Sequence, residues 1–297
     1  MRNLTLGLKR LVKNIQTLQR ENQEGMIHLV KTDENLIEGA EDLLEGTEIL
    51  QEMKTGHVKK VALDKIRIKR EKSLEGDNQE FFWIKSDGVR KLATENLVKG
   101  NQVYKEKLII KKGIEYRLWE PFRSKLAAAI MNGLDIFPFQ NKSTVLYLGV
   151  STGTTISHIS DIVGPSGIIF GVEHSSRVAR DFLDRVAKYR KNIIPILQDA
   201  RKPKEYFSVF GKVDIAYVDI AQPDQTEIAI TNCKIYLKKQ GYLFLVIKTR
   251  SIDVTKPPKQ IINEEIIKVK KNFDILQTID LHPYDKDHAI IIAEFQG

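Results

Sequence analysis

Val145-Leu-Tyr-Leu-Gly-Val-Ser-Thr-Gly-Thr-Thr155 is the stretch that sets the fold of this chain. Four apolar residues run into Gly149, and Gly153 and two threonines follow before an apolar-periodic segment begins. A short apolar run that ends in a glycine turn and restarts as a helix is the strand–turn–helix signal of an α/β sheet. Gly149 and Gly153 let the backbone approach a ligand closely. Thr154 and Thr155 stand at the helix start, where free N–H groups and hydroxyls bind a polar group. The turn lacks the third glycine and the spacing of G-x-G-x-x-G, which counts against a nicotinamide-dinucleotide oxidoreductase. Many α/β proteins carry a glycine turn at this place, so the turn alone names no ligand.

Working outward, strands alternate with helices. Ser143–Leu148, Gly167–Val172, Ile193–Leu197, Val213–Val218 and Tyr242–Ile247 read as strands, and Thr154–Val163, Ser176–Tyr189 and Thr226–Leu237 as helices. Phe273–Leu281 and His288–Glu294 read as a closing hairpin. The expectation for 119–297 is an α/β domain, a Rossmann-like, seven-stranded, mostly parallel sheet with helices on both faces. Ahead of it, 61–118 reads as a small β domain with strands Lys65–Lys69, Glu80–Lys85, Arg90–Ala93 and Lys107–Lys111. Ser86-Asp87-Gly88 and Lys99-Gly100-Asn101 supply its turns. Residues 1–60 read as a helical extension: Leu4, Leu8, Leu11, Ile15 and Leu18 form one apolar stripe, and Leu36, Ala40, Leu43, Leu44 and Leu50 a second. A helical hairpin packed on its own chain and a partner-binding helix both fit those stripes.

Ligands of such sheets bind at the carboxyl ends of the strands, and polar residues collect there. Glu173 ends the second strand, where a carboxylate can accept both ribose hydroxyls of an adenosine. That arrangement suits a nicotinamide dinucleotide and S-adenosylmethionine alike. Asp199 and Ala200 follow the third strand, with Asp199 placed to accept from an adenine amine, and Asp219-Ile220-Ala221-Gln222 follow the fourth. Independent surface decoration would rarely put polar groups after four consecutive strands. Lys248 closes the apolar run Tyr242–Ile247 and so points toward the cleft, whereas Lys125, before the first strand, would by itself pass as a solvated charge.

The 297 residues, 42% of them hydrophobic, are enough for one large and one small domain. No apolar run reaches the roughly 18 residues of a membrane span. One cysteine, Cys233, excludes an internal disulfide and fits a reducing cytoplasm. His28, His57, His158, His174, His282 and His288 are scattered, with no H-x-x-x-H pair, and no metal is expected. The net charge is +8, while residues 1–60 carry nine basic and ten acidic side chains. The basic excess therefore lies on the part with the motifs and favours an anionic partner such as RNA.

At these residues the sequence resembles the fibrillarin family, the S-adenosylmethionine-dependent RNA 2′-O-methyltransferases of box C/D ribonucleoproteins. The resemblance is carried by Tyr116–Ile130, Leu146–Gly164, Gly171–Arg177, Asn192–Pro203, Val213–Gln225, Leu237–Lys256 and Asp280–Ala289, and more weakly by Leu92–Val98 and Val103-Tyr104. The runs Arg-Ser-Lys-Leu-Ala-Ala-Ala, Asp-x-Ala-Gln-Pro-Asp-Gln and Arg-Ser-Ile-Asp-Val-Thr-Lys are specific to it. It implies a class I methyltransferase of archaeal type, cytoplasmic, or nucleolar if eukaryotic. It implies that Gly149, Thr154, Thr155, Glu173, His174, Asp199, Ala200 and Asp219–Gln222 contact S-adenosylmethionine, and that Lys125, Asp219, Lys248 and His288 form the catalytic group. It further implies rRNA and tRNA targets, a box C/D guide RNA, a Nop-family scaffold protein and a kink-turn-binding ribosomal-type protein as partners, and no membrane. A side-chain amide (glutamine) methyltransferase and a catalytically silent ribonucleoprotein scaffold are the competing readings. The sequence departs from the family at Val150, Thr152, His174 and Thr249, and none of these removes a catalytic side chain. Residues 1–60 have no counterpart in the family.

Overall fold

A computed structural model describes residues 80–209 and 211–297, all within the compact unit Asn78–Gly297. The helical reading of 1–60 and the strand Lys65–Lys69 lie outside the described residues. Two sheets make up the unit. The smaller runs β1 (Phe82–Ser86), β2 (Val89–Glu95), β3 (Leu108–Lys111) and β4 (Ile114–Leu118), in the order β1-β2-β4-β3 and wholly antiparallel. β4 is new relative to the sequence reading. It follows β3 across Lys112-Gly113, whose φ values of 51° and 79° give the doubly left-handed turn that fits a twisted hairpin. Its polar residues hid it, because Arg117, which reads as a solvated charge, is buried.

The larger sheet has seven strands in the order β10-β11-β9-β8-β5-β6-β7. Its strands are β5 (Thr144–Leu148), β6 (Ile168–Glu173), β7 (Ile193–Leu197), β8 (Val213–Val218), β9 (Leu237–Lys248), β10 (Phe273–Asp280) and β11 (His288–Phe295). The chain starts at the centre, steps through β6 to β7, then crosses back to β8 on the other side of β5. The crevice at the carboxyl ends of β5 and β8 is therefore the switch point where open α/β sheets bind ligands. All pairings are parallel except those of β11, which lies antiparallel between β9 and β10.

Among the described residues the α-helices are α1 (Lys125–Met131), α2 (Thr154–Val163), α3 (Ser176–Arg185), α4 (Gln225–Tyr236) and α6 (Pro258–Val269), with the single turn α5 (Thr249–Ile252) between the last two. One apolar core joins α1, α2 and α3 to one face of the sheet, and a second joins α4 and α6 to the other. α1 escaped the sequence reading because Leu126 to Ile130 are all buried, leaving no periodic pattern. α6 escaped it because its buried positions, Ile261, Glu265 and Val269, include a glutamate and lie among charged neighbours. The helix expected over Ser176–Tyr189 stops at Arg185; Val186 breaks it (φ −125°, ψ −65°) and a 3-10 turn, Ala187–Tyr189, completes the stretch.

A buried polar network fastens the small sheet to α2. Arg117 on β4 reaches Glu106 (2.6 Å) and Asp161 on α2 (2.7 Å), and Arg190 meets the other oxygen of Asp161 at 2.6 Å. Thr94 on β2 donates to Asp161 Oδ2 at 2.8 Å, so its oxygen is free to accept from His158 Nδ1, also at 2.8 Å. Burial, with Arg117 and Arg190 nearby, holds the His158 imidazole well below its ordinary value. The ring's Nε2 faces the Tyr104 hydroxyl 2.8 Å away, and that hydroxyl also lies 3.0 Å from the Leu118 carbonyl, to which it donates. Trp119 stacks on the same ring at 4.8 Å.

Removing one member of a fully buried ion cluster strands the others. Asp161→Ala leaves two buried guanidinium groups short of a carboxylate and is expected to cost roughly 3–5 kcal/mol. Urea unfolding of the variant beside the parent checks this.

Candidate active site

The glycine turn after β5 is shaped by close backbone contacts. Gly149 has φ +82°, and a Cβ there would lie 2.7 Å from the Asp219 carbonyl oxygen. Gly153, with φ +94°, would push a Cβ to 2.5 Å from Val186. Only glycine fits both the left-handed backbone and the space. Between them, the Ser151 N–H donates to Glu173 Oε2 (3.1 Å), and the Ser175 N–H donates to Oε1 (3.0 Å). The Glu173 carboxylate is thus fixed at the end of β6 by two main-chain donors, one per oxygen. Each oxygen keeps lone-pair capacity for a further donor.

Four residues singled out in the sequence come together at the ends of β8, β9 and β11. Asp219 follows β8 directly, and its N–H donates to the Leu148 carbonyl at 3.0 Å. Lys125 Nζ lies 3.3 Å from Asp219 Oδ2. Lys248 Nζ lies 2.7 Å from Asp219 Oδ1 but donates its hydrogen bond to the Asp219 carbonyl at 2.9 Å. The distance to Oδ1 makes an ion pair without hydrogen-bond alignment, so this buried oxygen has no hydrogen-bond donor. His288 pairs in register with Lys248 across β11 and β9. It reaches the cluster through Asp285, which lies 2.9 Å from His288 Nδ1 and 3.7 Å from Lys125 Nζ. Nδ1 also faces the Lys286 carbonyl at 2.7 Å; both neighbours are acceptors, so Nδ1 carries hydrogen.

Local structure explains why these side chains meet. Ser124 caps α1, accepting from the Ala127 N–H, and shares a 3.0 Å hydrogen bond with Thr155 at the start of α2. That bond sets Lys125, the first residue of α1, against the turn. Gln225, fully buried at the start of α4, accepts from the Lys248 N–H (3.0 Å) and donates to the Gln222 carbonyl (2.9 Å). Thr249 donates to the Asp287 carbonyl at 2.8 Å and pins the loop that delivers Asp285.

The other singled-out residues are more dispersed. Thr154 opens α2 at the turn, while the Thr155 hydroxyl is engaged inward with Ser124. His174 is exposed, with Nδ1 3.4 Å from Glu173 Oε1. Asp199, half-buried, accepts from the Arg201 N–H at 2.9 Å; Ala200 packs against the core beneath α4, as does Ile220. Gln222 accepts from Arg201 Nη2 at 2.7 Å, and the same guanidinium grips Asp224, tying the loop after β7 to the loop after β8. Ala221 lies between Ile220 and Gln222 in that loop.

Asp285 and Gln225 were not assigned roles from the sequence, although both lie inside family-like segments. Burial pushes the Asp285 carboxyl up; the hydrogen bond and charge of His288, with Lys125 and Lys248, outweigh it and hold the carboxyl below its ordinary value. Beneath the cluster, burial drives the Tyr147 and Tyr217 phenols well above theirs.

A seven-stranded sheet with one antiparallel strand inside its edge, and carboxylates at successive strand ends around a glycine turn, defines a Rossmann-like class I methyltransferase. The family model described as Fibrillarin matches residues 73–297, and this chain belongs to the fibrillarin family. It is 54% identical over 213 residues to the fibrillarin-like rRNA/tRNA 2′-O-methyltransferase of Saccharolobus islandicus, spanning 71% of this chain and 91% of the relative. Aeropyrum pernix fibrillarin, solved in complex with natively bound S-adenosyl-L-methionine, superposes with a TM-score of 0.66 at 45% identity, covering 70% of this chain and 90% of that one. A fibrillarin solved as a fibrillarin/Nop5p complex superposes with a TM-score of 0.66 at 38% identity, covering 73% and 97%.

Two outcomes test the geometry. Gly149→Ala combines a Cβ in left-handed backbone, about 1–2 kcal/mol, with the Asp219 contact, and should lower the denaturant midpoint by more than the backbone term alone. Asp285 has a folded-state value below its ordinary 3.8, so it adds stability above that value that is lost as pH falls through the folded one. In Asp285→Asn, stability measured by urea titration should therefore fall less steeply with acid below pH 3.8 than in the parent.

Proposed function

We propose that this chain is an S-adenosylmethionine-dependent RNA ribose 2′-O-methyltransferase acting on rRNA and tRNA. The observation that carries the proposal is the Lys125–Asp219–Lys248 cluster at the switch point, 3.3 and 2.7 Å across its two ion pairs, beside the glycine turn. The relative from Saccharolobus islandicus bears that activity in its name, and the Aeropyrum pernix protein was solved with that cofactor. Residues 61–118 are assigned to a small β domain and residues 119–297 to the methyltransferase domain.

The residues suit the cofactor. Glu173, fixed by two main-chain N–H groups, offers both oxygens to a ribose diol. Gly149 lets the turn pass against the Asp219 main chain, where a Cβ would not fit. Thr154, Thr155, His174, Asp199, Ala200 and Asp219 to Gln222 are assigned as cofactor contacts, with Asp199 assigned to an adenine amine. When bound, S-adenosylmethionine supplies an electrophilic methyl group on a sulfonium. The chain's own task is to position a ribose 2′-hydroxyl and remove its proton, because that hydroxyl is a weak nucleophile at neutral pH.

Lys248 is assigned as the proton acceptor. It stands beside Asp219 together with Lys125, and the assignment has it act as the neutral amine. The neutral amine then takes the hydroxyl proton as the oxygen bonds the methyl carbon, leaving 2′-O-methylribose and S-adenosylhomocysteine. Asp219 holds both lysines in place. Asp285, itself oriented by His288, restrains Lys125 on its other side.

The proposed assembly contains a Nop-family scaffold, as in the fibrillarin solved with Nop5p, together with a box C/D guide RNA and a kink-turn-binding ribosomal-type protein. Base pairing then selects the nucleotide and this chain supplies chemistry and backbone contacts.

The test is Lys248→Ala in the assembled complex, with 2′-O-methylnucleosides quantified by mass spectrometry. Loss of a general base lowers turnover about 10²–10⁴-fold, while calorimetry should find cofactor affinity near that of the parent. Turnover like that of the parent contradicts the assignment. Methyl label recovered in protein side chains rather than in RNA would point instead to the amide methyltransferase.

A further inference from the structure

Beside the glycine turn, away from the lysine–aspartate cluster, lies a pocket of about 440 Å³ whose polar lining is Tyr104, Lys105, Arg123, Thr152, Thr154 and Arg185. Three cations and two threonines converge there from four separate segments. Among the described residues, none of the three basic side chains forms an ion pair or donates a hydrogen bond; Arg123 only rests over the Tyr104 ring at 5.7 Å. Most other basic groups around the sheet edge are compensated: Lys125 and Lys248 by Asp219, Arg201 by Asp224, Arg250 by Asp287. A concave site with three uncompensated charges and hydroxyl donors suits an anion with several acceptor oxygens.

We propose that this pocket binds a backbone phosphodiester of the RNA strand, beside the nucleotide whose ribose is methylated. The inference rests on the ribose-methylation reading and adds where the strand is held. The amino-acid tail of the cofactor does not match the charge. It pairs one carboxylate with one ammonium, and the sulfonium makes the whole molecule a net cation, which three free positive groups repel. A polyanion is attracted by the same groups.

Position supports the same occupant. Arg123 lines the pocket and Lys125 belongs to the cluster, two residues on. Two residues of extended chain span at most about 7 Å, so one short stretch of main chain carries both a pocket residue and a cluster residue. Phe122, the residue before Arg123, is 67% exposed and packs edge-to-face on Tyr284 at 5.1 Å, next to Asp285. An exposed ring beside a pocket arginine in sequence, packed on the residue before Asp285, is a stacking surface for a base, and cations with exposed rings are the combination by which single strands are tracked.

The experiment compares the full chain with the variant Lys105→Gln/Arg123→Gln/Arg185→Gln. Binding of a fluorescent single-stranded oligoribonucleotide is followed by anisotropy at 50 and 200 mM salt, with S-adenosylmethionine calorimetry on the same samples. A control variant, Lys234→Gln/Lys239→Gln/Lys271→Gln, removes equal charge from exposed lysines at the opposite edge of the sheet. The proposal expects the pocket variant to bind RNA about tenfold more weakly per lost contact at 50 mM salt, with the log–log salt slope reduced by about 0.7 for each. The control variant and the cofactor affinity should match the parent. The single variant Lys105→Gln should show a smaller loss in the same direction. Unchanged RNA affinity and slope, an equal loss in the control, or a loss of cofactor affinity in place of RNA affinity would each overturn the proposal. None of these outcomes bears on the ribose-methylation reading, which the Lys248→Ala assay tests separately.

Discussion

The main chain of Gly149 lies against the main chain of Asp219, and the space between them admits no Cβ. Because β5 and β8 are neighbours in the sheet, the residues that follow them must share one crevice. The Asp219 N–H closes it by donating to Leu148, and the Asp219 carbonyl receives Lys248. The turn assigned to the methyl donor and the lysine assigned to the proton are therefore two sides of a single backbone contact. A displacement of one is a displacement of the other.

Around that contact, each charged group is held by a neighbour that does not itself react. Ser124 and Thr155 fix the start of α1 and with it Lys125. Gln225 fixes the Lys248 main chain. The loop from β10 to β11 brings Asp285 in from the far side, so that Lys125 stands between two carboxylates. Such support keeps donors and acceptors in place before any substrate arrives, the condition under which electrostatic stabilisation costs no reorganisation. The buried Arg117–Glu106–Asp161–Arg190 network extends the same rigidity to the small sheet. Tyr104, which reaches His158 in that network, also lines the basic pocket, and so joins the stability of the small sheet to the proposed path of the RNA.

The larger sheet was legible because its strands are short apolar runs bounded by turn residues. β7 and β8 match the sequence reading residue for residue, as does α2. Elements were missed where burial contradicts residue type. The all-apolar α1 has no period to detect, α6 buries a glutamate, and β4 buries Arg117. β9 was expected over Tyr242–Ile247 but begins at Leu237, where Lys238, Lys239 and Gln240 are exposed and carry no apolar signal. The meeting of Lys125, Asp219, Lys248 and His288 rested on family resemblance, since no spacing in a sequence places residues from four separate segments together. Asp285 escaped notice because its role depends on the path of a loop.

The central claim is that the ribose 2′-oxygen accepts the methyl group. The most direct measurement is methyl transfer from labelled S-adenosylmethionine, by the complex assembled with its guide RNA, to paired substrates that differ only in a 2′-hydroxyl or a 2′-deoxy group at the target nucleotide. Label incorporated into the hydroxyl substrate and absent from the deoxy substrate is the predicted result. Equal incorporation into both would contradict the account.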